Sequence, residues 1–489
     1  MVGGGCRSLE AAALHAWLRA LEAAAKRGEG VRAPLEAPPA LLAAALNQGA
    51  AGLRETVVAR LAVAAVTAGV SRLEVHLEHP TLIEALMEAL HAHPAHITSL
   101  SLTLGPRTSL GGLLSQALRG MSALTALTLT RRTDEDMMAL AQAAPPLRTL
   151  DVAYCASVTD KGVRALLGVA DNSYTMKEVL TGRIERGGDA PATSLTTVNL
   201  WGTEVTTRGC VLLLAACPSL ASLTCRWTGE ALDLMMRGGR EASLALSQLL
   251  LAEAAFPPLE EVTRVCPQLA SLVARRPPDP VSVKSMISSI PSLTAVTLLQ
   301  FMPEAEQWLS SAPAPALTYL HLSLLDARQV DLAGLADTCP ALTHLILEGV
   351  TLTLPRPRPS APLSKLTTLR LVTPPTQTHV IDPEVAVWAM VWARNAVSVD
   401  LGSCRHFTDQ HLSQALDQGA LSQVEDLRLS GACRVTDAGI DELMRCCPDL
   451  RRLALKMLPK ERLAELEALK VKIREENLDL ELITYGWKF

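Results

Sequence analysis

The chain has 489 residues, 49% of them hydrophobic and only 3% aromatic, with four Phe and four Tyr. A net charge of −5 argues against a general nucleic-acid binder, which shows a basic domain. Eleven cysteines, no Asn-x-Ser/Thr acceptor and no apolar run longer than Leu61–Val70 argue against a disulfide-built extracellular domain and a membrane span.

Residues 1–69 are rich in Ala and Leu and helical in pattern. Leu9, Ala13, Trp17 and Leu21 recur at spacing four, and Pro34, Pro38 and Pro39 end the first helix. Glu10, His15, Arg19 and Glu22 break up the apolar run that a signal peptide requires. This segment is expected to be a helical N-terminal cap shielding the strand that opens near Val70.

From residue 70 a repeat runs to 457. Strand openings are expected near Val70, Ile97, Leu124, Leu147, Leu195, Leu220, Leu246, Leu269, Leu293, Leu317, Leu342, Leu366, Ala396, Val424 and Leu450. Most steps are about 23–28 residues, so about fifteen repeats stack along the chain. Two stretches break the period: 171–194 reads as an insertion, and 353–363 as a Pro-rich rim. Residues 458–489 form a charged C-terminal segment with Leu463, Leu466, Leu469 and Ile473 in an apolar stripe. They are expected to be a helical cap or a partner-binding tail, with Trp487 and Phe489 as aromatic anchors.

The repeat has a phrase. It stands at 150–160 as LDVAYCASVTD, more weakly at 198–209, and twice within 399–455. A Leu-x-x-Leu-x-Leu-like run is followed by a small soft Cys, then Thr-Asp, then an apolar helical stretch closed by Cys-Pro-x-Leu, as at Cys447-Pro448-Asp449-Leu450. Alternating leucines point inward from a strand. Thr-Asp signals a helix N-cap, because a side-chain oxygen accepts a free N–H of the first turn. Pro stops the helix and returns the chain to the next strand.

This phrase resembles the cysteine-containing leucine-rich repeats of F-box/LRR proteins. The resemblance implies an α/β leucine-rich-repeat solenoid, a horseshoe with a parallel concave sheet, outer helices and helical caps at both ends. It also implies a non-catalytic interaction scaffold within a larger intracellular assembly, cytoplasmic and of the kind found in cytoskeletal or axonemal complexes. The alternative it implies is the substrate-recognition subunit of a cullin-type ubiquitin ligase. That role calls for an F-box with a Leu-Pro opening and a Val-Cys-x-x-Trp-like end, and Cys6 and Trp17 do not form that pattern.

Chemistry-bearing motifs are few. His91-x-His93-x-x-His96 lies near His76 and His79, with no Cys or carboxylate at a matching metal-ligand spacing, and reads as solvated loop histidines. Gly28-x-Gly30 follows a helix rather than a strand, so it is no dinucleotide fingerprint. Arg356-x-x-Pro359-x-x-Pro362 has the form of a basic polyproline ligand and also of a rigid rim loop. No cofactor, metal, small-molecule substrate or catalytic residue is expected. The expected partners are other proteins, not nucleic acid or membrane.

Recognition is expected on the concave strand positions. Early repeats place Ser99, Ser101, Ala126 and Thr128 there. Middle repeats place Asp151, Asn199, Trp201, Arg226, Tyr319, His321, His344 and Glu348, and late repeats Arg370, Asp400, Asp426, Arg428, Arg452 and Lys456. Trp, Tyr and Arg are the residues from which binding hot spots are usually made.

Overall fold

The structure, a computed structural model, describes residues 55–94, 96–105, 110–169, 178–179, 194–238, 243–252, 257, 259–276, 287–301, 314–330, 332–352, 363–372, 381–402, 404–431, 434–458, 463, 466–467, 469–471, 473 and 480–486. The chain divides into two compact units, Met1–Leu250 and Leu251–Phe489.

In the first unit, helix α1 (Glu55–Thr67) precedes β1 (Arg72–Leu77), α2 (Pro80–Ala92), β2 (Ser99–Leu104), α3 (Gly111–Arg119), β3 (Ala126–Thr130) and α4 (Asp134–Ala143). Next come β4 (Thr149–Asp151), α5 (Asp160–Leu166), β5 (Thr197–Asn199), α6 (Thr207–Ala216), β6 (Ser222–Thr224), α7 (Thr228–Arg237) and the opening of β7 (Gln248–Ala252). Each strand pairs in parallel with the next in chain order. One inward ladder reads Leu73, Leu100, Leu127, Leu150, Val198, Leu223, Leu249, all buried. Helix α1 packs on β1 and α2. Residues 1–54 of the expected cap lie outside the described residues.

The second unit holds α8 (Leu259–Val265), β8 (Ser271–Arg275), β9 (Ala295–Phe301), β10 (Tyr319–Val330), α9 (Leu332–Thr338), β11 (His344–Leu352) and β12 (Thr368–Val372). Then come α10 (Pro383–Trp392), β13 (Ser398–Leu401), α11 (Asp409–Asp417), β14 (Asp426–Ser430), α12 (Asp437–Cys446), β15 (Arg452–Leu458) and β16 (Glu481–Gly486). Its inward ladder runs Leu272, Val296, Leu320, Leu345, Leu369, Val399, Leu427, Leu453, Leu482. Each buried leucine side chain contributes about 1.5–3 kcal/mol, so the ladder is the main source of cohesion in both units.

Every strand opening read from the sequence stands two residues ahead of an observed strand, as with Val70 and Arg72, Leu124 and Ala126, Ala396 and Ser398. One expectation needs correction. The 458–489 segment contains helical residues between 463 and 473, with Leu466, Leu469 and Ile473 buried, but its last described residues form strand β16. The alternation of Leu478, Leu480 and Leu482 suits a strand, and β16 extends the ladder in parallel beside β15. The 171–194 insertion, except residues 178–179 and 194, and the 353–363 rim, except Leu363, lie outside the described residues.

The Thr-Asp phrase does more than cap its own helix. Thr159 Oγ1 accepts from Lys161 N, and Thr206 Oγ1 from Arg208 N, each inside its own first turn. The Asp beside or ahead of the cap reaches along to the following repeat. Asp134 accepts from Thr159 N (2.8 Å), Thr159 Oγ1 (2.7 Å) and Gly162 N (3.0 Å). Asp160 accepts from Thr206 N (2.8 Å) and Oγ1 (2.6 Å). In the second unit Asp409 does the same for Thr436 N (2.8 Å) and Oγ1 (2.5 Å). The glycine three residues after each receiving Thr has a reason as well: a Cβ on Gly162, Gly209 or Gly439 would collide with that carboxylate.

The repeat cysteine holds the bend after the strand. Cys155 Sγ donates to Leu129 O (3.3 Å) and accepts from Arg132 N (3.2 Å), tying two repeats together. Arg132 is itself buried, its side chain 1% exposed and 4.0 Å from the equally buried Asp136. Its guanidinium donates to Thr130 O (2.9 Å) and Gly105 O (3.0 Å). Burial lowers the Arg132 pKa, and the Asp136 charge opposes the shift. Neither residue is marked out by the repeat pattern.

Candidate protein-binding surfaces

Strand residues alternate between the buried ladder and an open face directed away from the helices. Three positions beyond the middle open-face residue, the backbone turns left-handed. In the first unit the aligned residues are Arg131 (φ 56°), Tyr154 (φ 59°) and Gly202 (φ 73°). In the second they include Arg276 (φ 49°), Gln300 (φ 53°), Gly349 (φ 72°) and Gly431 (φ 74°). Glycine accepts this conformation freely, whereas for another residue it costs about 1 kcal/mol.

Tyr154 is the aromatic residue in that series, and it is 72% exposed. Its N–H donates to Trp201 O (2.6 Å), so the Tyr154 turn is seated against the Trp201 turn of the next repeat. A Cβ on Gly202 would lie 2.9 Å from Tyr154 Cδ1, which places the phenol ring over Gly202. One repeat further, exposed Arg226 has its Cζ 5.3 Å from the centre of the Trp227 ring. Tyr154, Trp201, Arg226 and Trp227 thus succeed one another along the rim where strands β4–β6 give way to helices. Trp201 and Arg226 were legible as open-face positions; Tyr154 and Trp227 were not, because they lie in the turn. The signal for Tyr154 was an aromatic residue where sister repeats carry glycine or a polar residue, as at Gly202, Gly431 and Arg131.

Asp151 and Asn199 are occupied by the fold. Asp151 accepts from Ala153 N (2.9 Å) and Asn199 from Trp201 N (3.1 Å), closing the two strands, and Asn199 Nδ2 donates across to Asp151 (3.1 Å).

In the second unit the expected residues assemble into two networks. Glu348 lies 3.6 Å from His321 and 3.8 Å from Arg370, and Arg370 lies 3.6 Å from Asp400. Asp426 binds Arg428 (2.7 Å) and Arg452 (3.2 Å), and Arg452 continues to Glu481 (3.1 Å). The Tyr319 and His344 rings pack 5.9 Å apart. Trp487 and Phe489 lie outside the described residues. Two aspartates on neighbouring strands titrate in opposite directions. Burial pushes Asp400 (8% exposed) above the ordinary aspartate value, against the pull of Lys456, Arg370 and Arg428. Burial also raises Asp426, but the hydrogen bonds and charges of Arg428 and Arg452 outweigh it and hold that carboxyl low.

The cysteines are core residues among the described residues, all free and all buried except Cys446. Burial pushes the Cys266 and Cys404 thiols up to about 12 and Cys447 up to about 11, so these remain neutral thiols at pH 7. His91 Nδ1 lies 3.0 Å from Gln116 O, and no group of three or more His, Cys, Asp or Glu among the described residues is placed to hold a metal ion. No helix among the described residues is long and apolar enough to cross a membrane.

No family model and no curated protein sequence matches the chain. Solved structures do resemble it at low similarity. An internalin from Listeria monocytogenes (InlF) is 13% identical, covers 92% of this chain and 94% of its own, and gives a TM-score of 0.33. TLR13 in its complex with ssRNA13 is 14% identical over 81% of this chain and 60% of that one, with a TM-score of 0.38. Yeast Rad7 in its complex with Elc1 is 11% identical over 99% and 98%, with a TM-score of 0.32. The fold itself is established by the chain's own geometry: one short parallel strand per repeat, an inward leucine ladder, and a cysteine in the bend. The fold is that of a leucine-rich-repeat protein.

Proposed function

We propose that the chain is a non-catalytic protein–protein interaction scaffold, a structural or adaptor subunit of a larger intracellular assembly. It binds through the open strand face and the adjoining rim. The observation that carries this reading is Tyr154: a large aromatic kept 72% exposed at a left-handed position that Gly202, Gly349 and Gly431 fill in three sister repeats and the polar Arg131, Gln300 and Arg276 in three others. Strain held at a surface residue points to a use for its side chain. Trp201 and Arg226 beside it complete the composition of a binding hot spot.

The test uses Tyr154→Gly combined with Trp201→Ala, compared with the unaltered tagged chain by mass spectrometry of co-purifying proteins. Glycine relieves the backbone strain, so Tyr154→Gly alone is expected to leave the melting temperature unchanged or raised by the equivalent of about 1 kcal/mol. The double variant is expected to lose a partner recovered by the wild type in fixed proportion. Identical recovery by both would remove this rim from the reading. Recovery of a cullin with its adaptor would replace the scaffold by a ubiquitin-ligase subunit, whereas cytoskeletal subunits would assign the assembly.

A further inference from the structure

The open face of the second unit contains a hollow of about 560 Å³, lined by Arg428, Arg452, Ala454, Lys456, Glu481 and Ile483. Strand register explains it. Arg428, Ala454 and Ile483 stand side by side in the middle row, between the row of Asp426, Arg452 and Glu481 and the row of Ser430, Lys456 and Tyr485. Ala454 is the short side chain of the middle row, so the surface drops there and the longer neighbours become walls.

The floor is apolar and the walls are cationic. Three cations and one carboxylate line the hollow, because Asp426, which holds Arg428 and Arg452, stands outside the lining. Lys456 has no ion pair or hydrogen bond to its ammonium group among the described residues; its charge acts at longer range on buried Asp400. A lysine left without a carboxylate beside two arginines favours an anion, and a hydrophobic floor favours one carried on methylenes.

We propose that this hollow takes an acidic segment of a protein partner, with Glu or Asp carboxylates on Lys456, Arg428 and Arg452 and side-chain methylenes over Ala454 and Ile483. The proposal rests on the interaction-scaffold reading and adds the chemistry of the partner. Arg452 and Lys456 are four residues apart on β15, about 13 Å, which is the spacing of alternate same-face residues i and i+4 on an extended peptide. Glu481 in the wall lowers the net positive charge of the hollow, and with it the advantage a doubly charged phosphate would have over a carboxylate.

The experiment measures fluorescence anisotropy of a fluorescein-labelled peptide, Gly-Glu-Ala-Glu-Ala-Glu-Gly, with the full chain. A Lys-for-Glu peptide and a phosphoserine-for-Glu peptide serve as comparisons. The Glu peptide is expected to bind, to weaken with added salt, and to weaken about tenfold on Lys456→Glu, with Lys456→Gln in between. The Lys peptide is expected not to bind. Lys456 makes no hydrogen bond or ion pair with another side chain among the described residues and its charge supports only ionised Asp400, so the thermal melt of Lys456→Gln is expected to stay near the wild type and that of Lys456→Glu to fall slightly. Equal binding by Lys456→Glu, or phosphoserine binding about tenfold tighter than Glu, would overturn the proposal. Partners that co-purify with the tagged wild type and are retained by Lys456→Glu, with no binding of the Glu peptide, would sink this site and leave the scaffold reading intact. Lys456-dependent peptide binding with no co-purifying partner would sink the scaffold reading and leave the hollow standing.

Discussion

The two units share a backbone and differ in what they display. Both have inward leucine ladders, Thr-Asp staples and left-handed turns after the strands. In the first unit the open face between β2 and β6 is mostly hydroxyl: Ser99, Ser101, Thr128, Thr149, Thr197 and Thr224, with aromatics confined to the rim. In the second it is charged, from Glu348 through Arg370, Asp400, Asp426, Arg428 and Arg452 to Glu481. The buried positions are dictated by packing and recur in both units; the open positions are released from that demand and diverge. Recognition in this molecule therefore has to be sought in the positions that depart from the repeat, not in those that define it.

Charge separates the units most strongly. The first unit buries the Arg132–Asp136 pair, whereas the second leaves the arginines of its open-face pairs 37–46% exposed. Asp136→Ala strands the buried Arg132 charge and is expected to cost about 3 kcal/mol by urea denaturation. Asp426→Ala, although it frees two arginines, is expected to cost about 1 kcal/mol or less, because water rescreens them. Equal losses would mean that burial does not distinguish the two networks.

The staples test what the units have in common. Asp160→Ala and Asp409→Ala each remove two hydrogen bonds to the next repeat's cap and are each expected to cost about 1–2 kcal/mol. A loss in one unit and not the other would show that the staple is not a common device.

A titration should show a subtler contrast, within the second unit's charged face. Followed by carboxyl NMR, Asp400 is expected to titrate above the ordinary aspartate value of 3.8 and Asp426 below it. The signs differ in consequence. The Asp426 contribution to stability is fully present above the unfolded pKa and is lost as pH falls through its lowered folded pKa. Ionised Asp400 is a cost that develops as pH rises from the unfolded value through its raised folded one. On acidification Asp400 therefore takes its proton first and without loss of stability. The reverse order would mean that the arginines, not burial, dominate at both sites.

The period of the leucines made the strands legible, even at Leu246 and Ala396, because a side chain that must enter the ladder tolerates little variation. Strand β16 was obscured by the charged helix before it, although Leu478, Leu480 and Leu482 carried the alternation. The Thr-Asp phrase read as a cap, and only the structure shows the Asp serving the following repeat, since a contact between repeats leaves no mark at short spacing. Open-face residues such as Arg370 and Asp400 were identifiable, but not their pairing. Nothing in the sequence marks Arg132 and Asp136 as buried, because the burial of Arg132 depends on the Gly105 carbonyl, 27 residues earlier.

The staples also give each unit a direction. Asp134 serves the helix after it, and Asp160 the helix after that, while neither depends on its recipient to cap its own helix. Removing a repeat from the N-terminal side takes the carboxylate away from its successor's first turn; removing one from the C-terminal side leaves its predecessor's cap intact. Fraying should thus advance more readily toward the C-terminus than back from it, so shortening the chain from its two ends is not equivalent even though the repeats are.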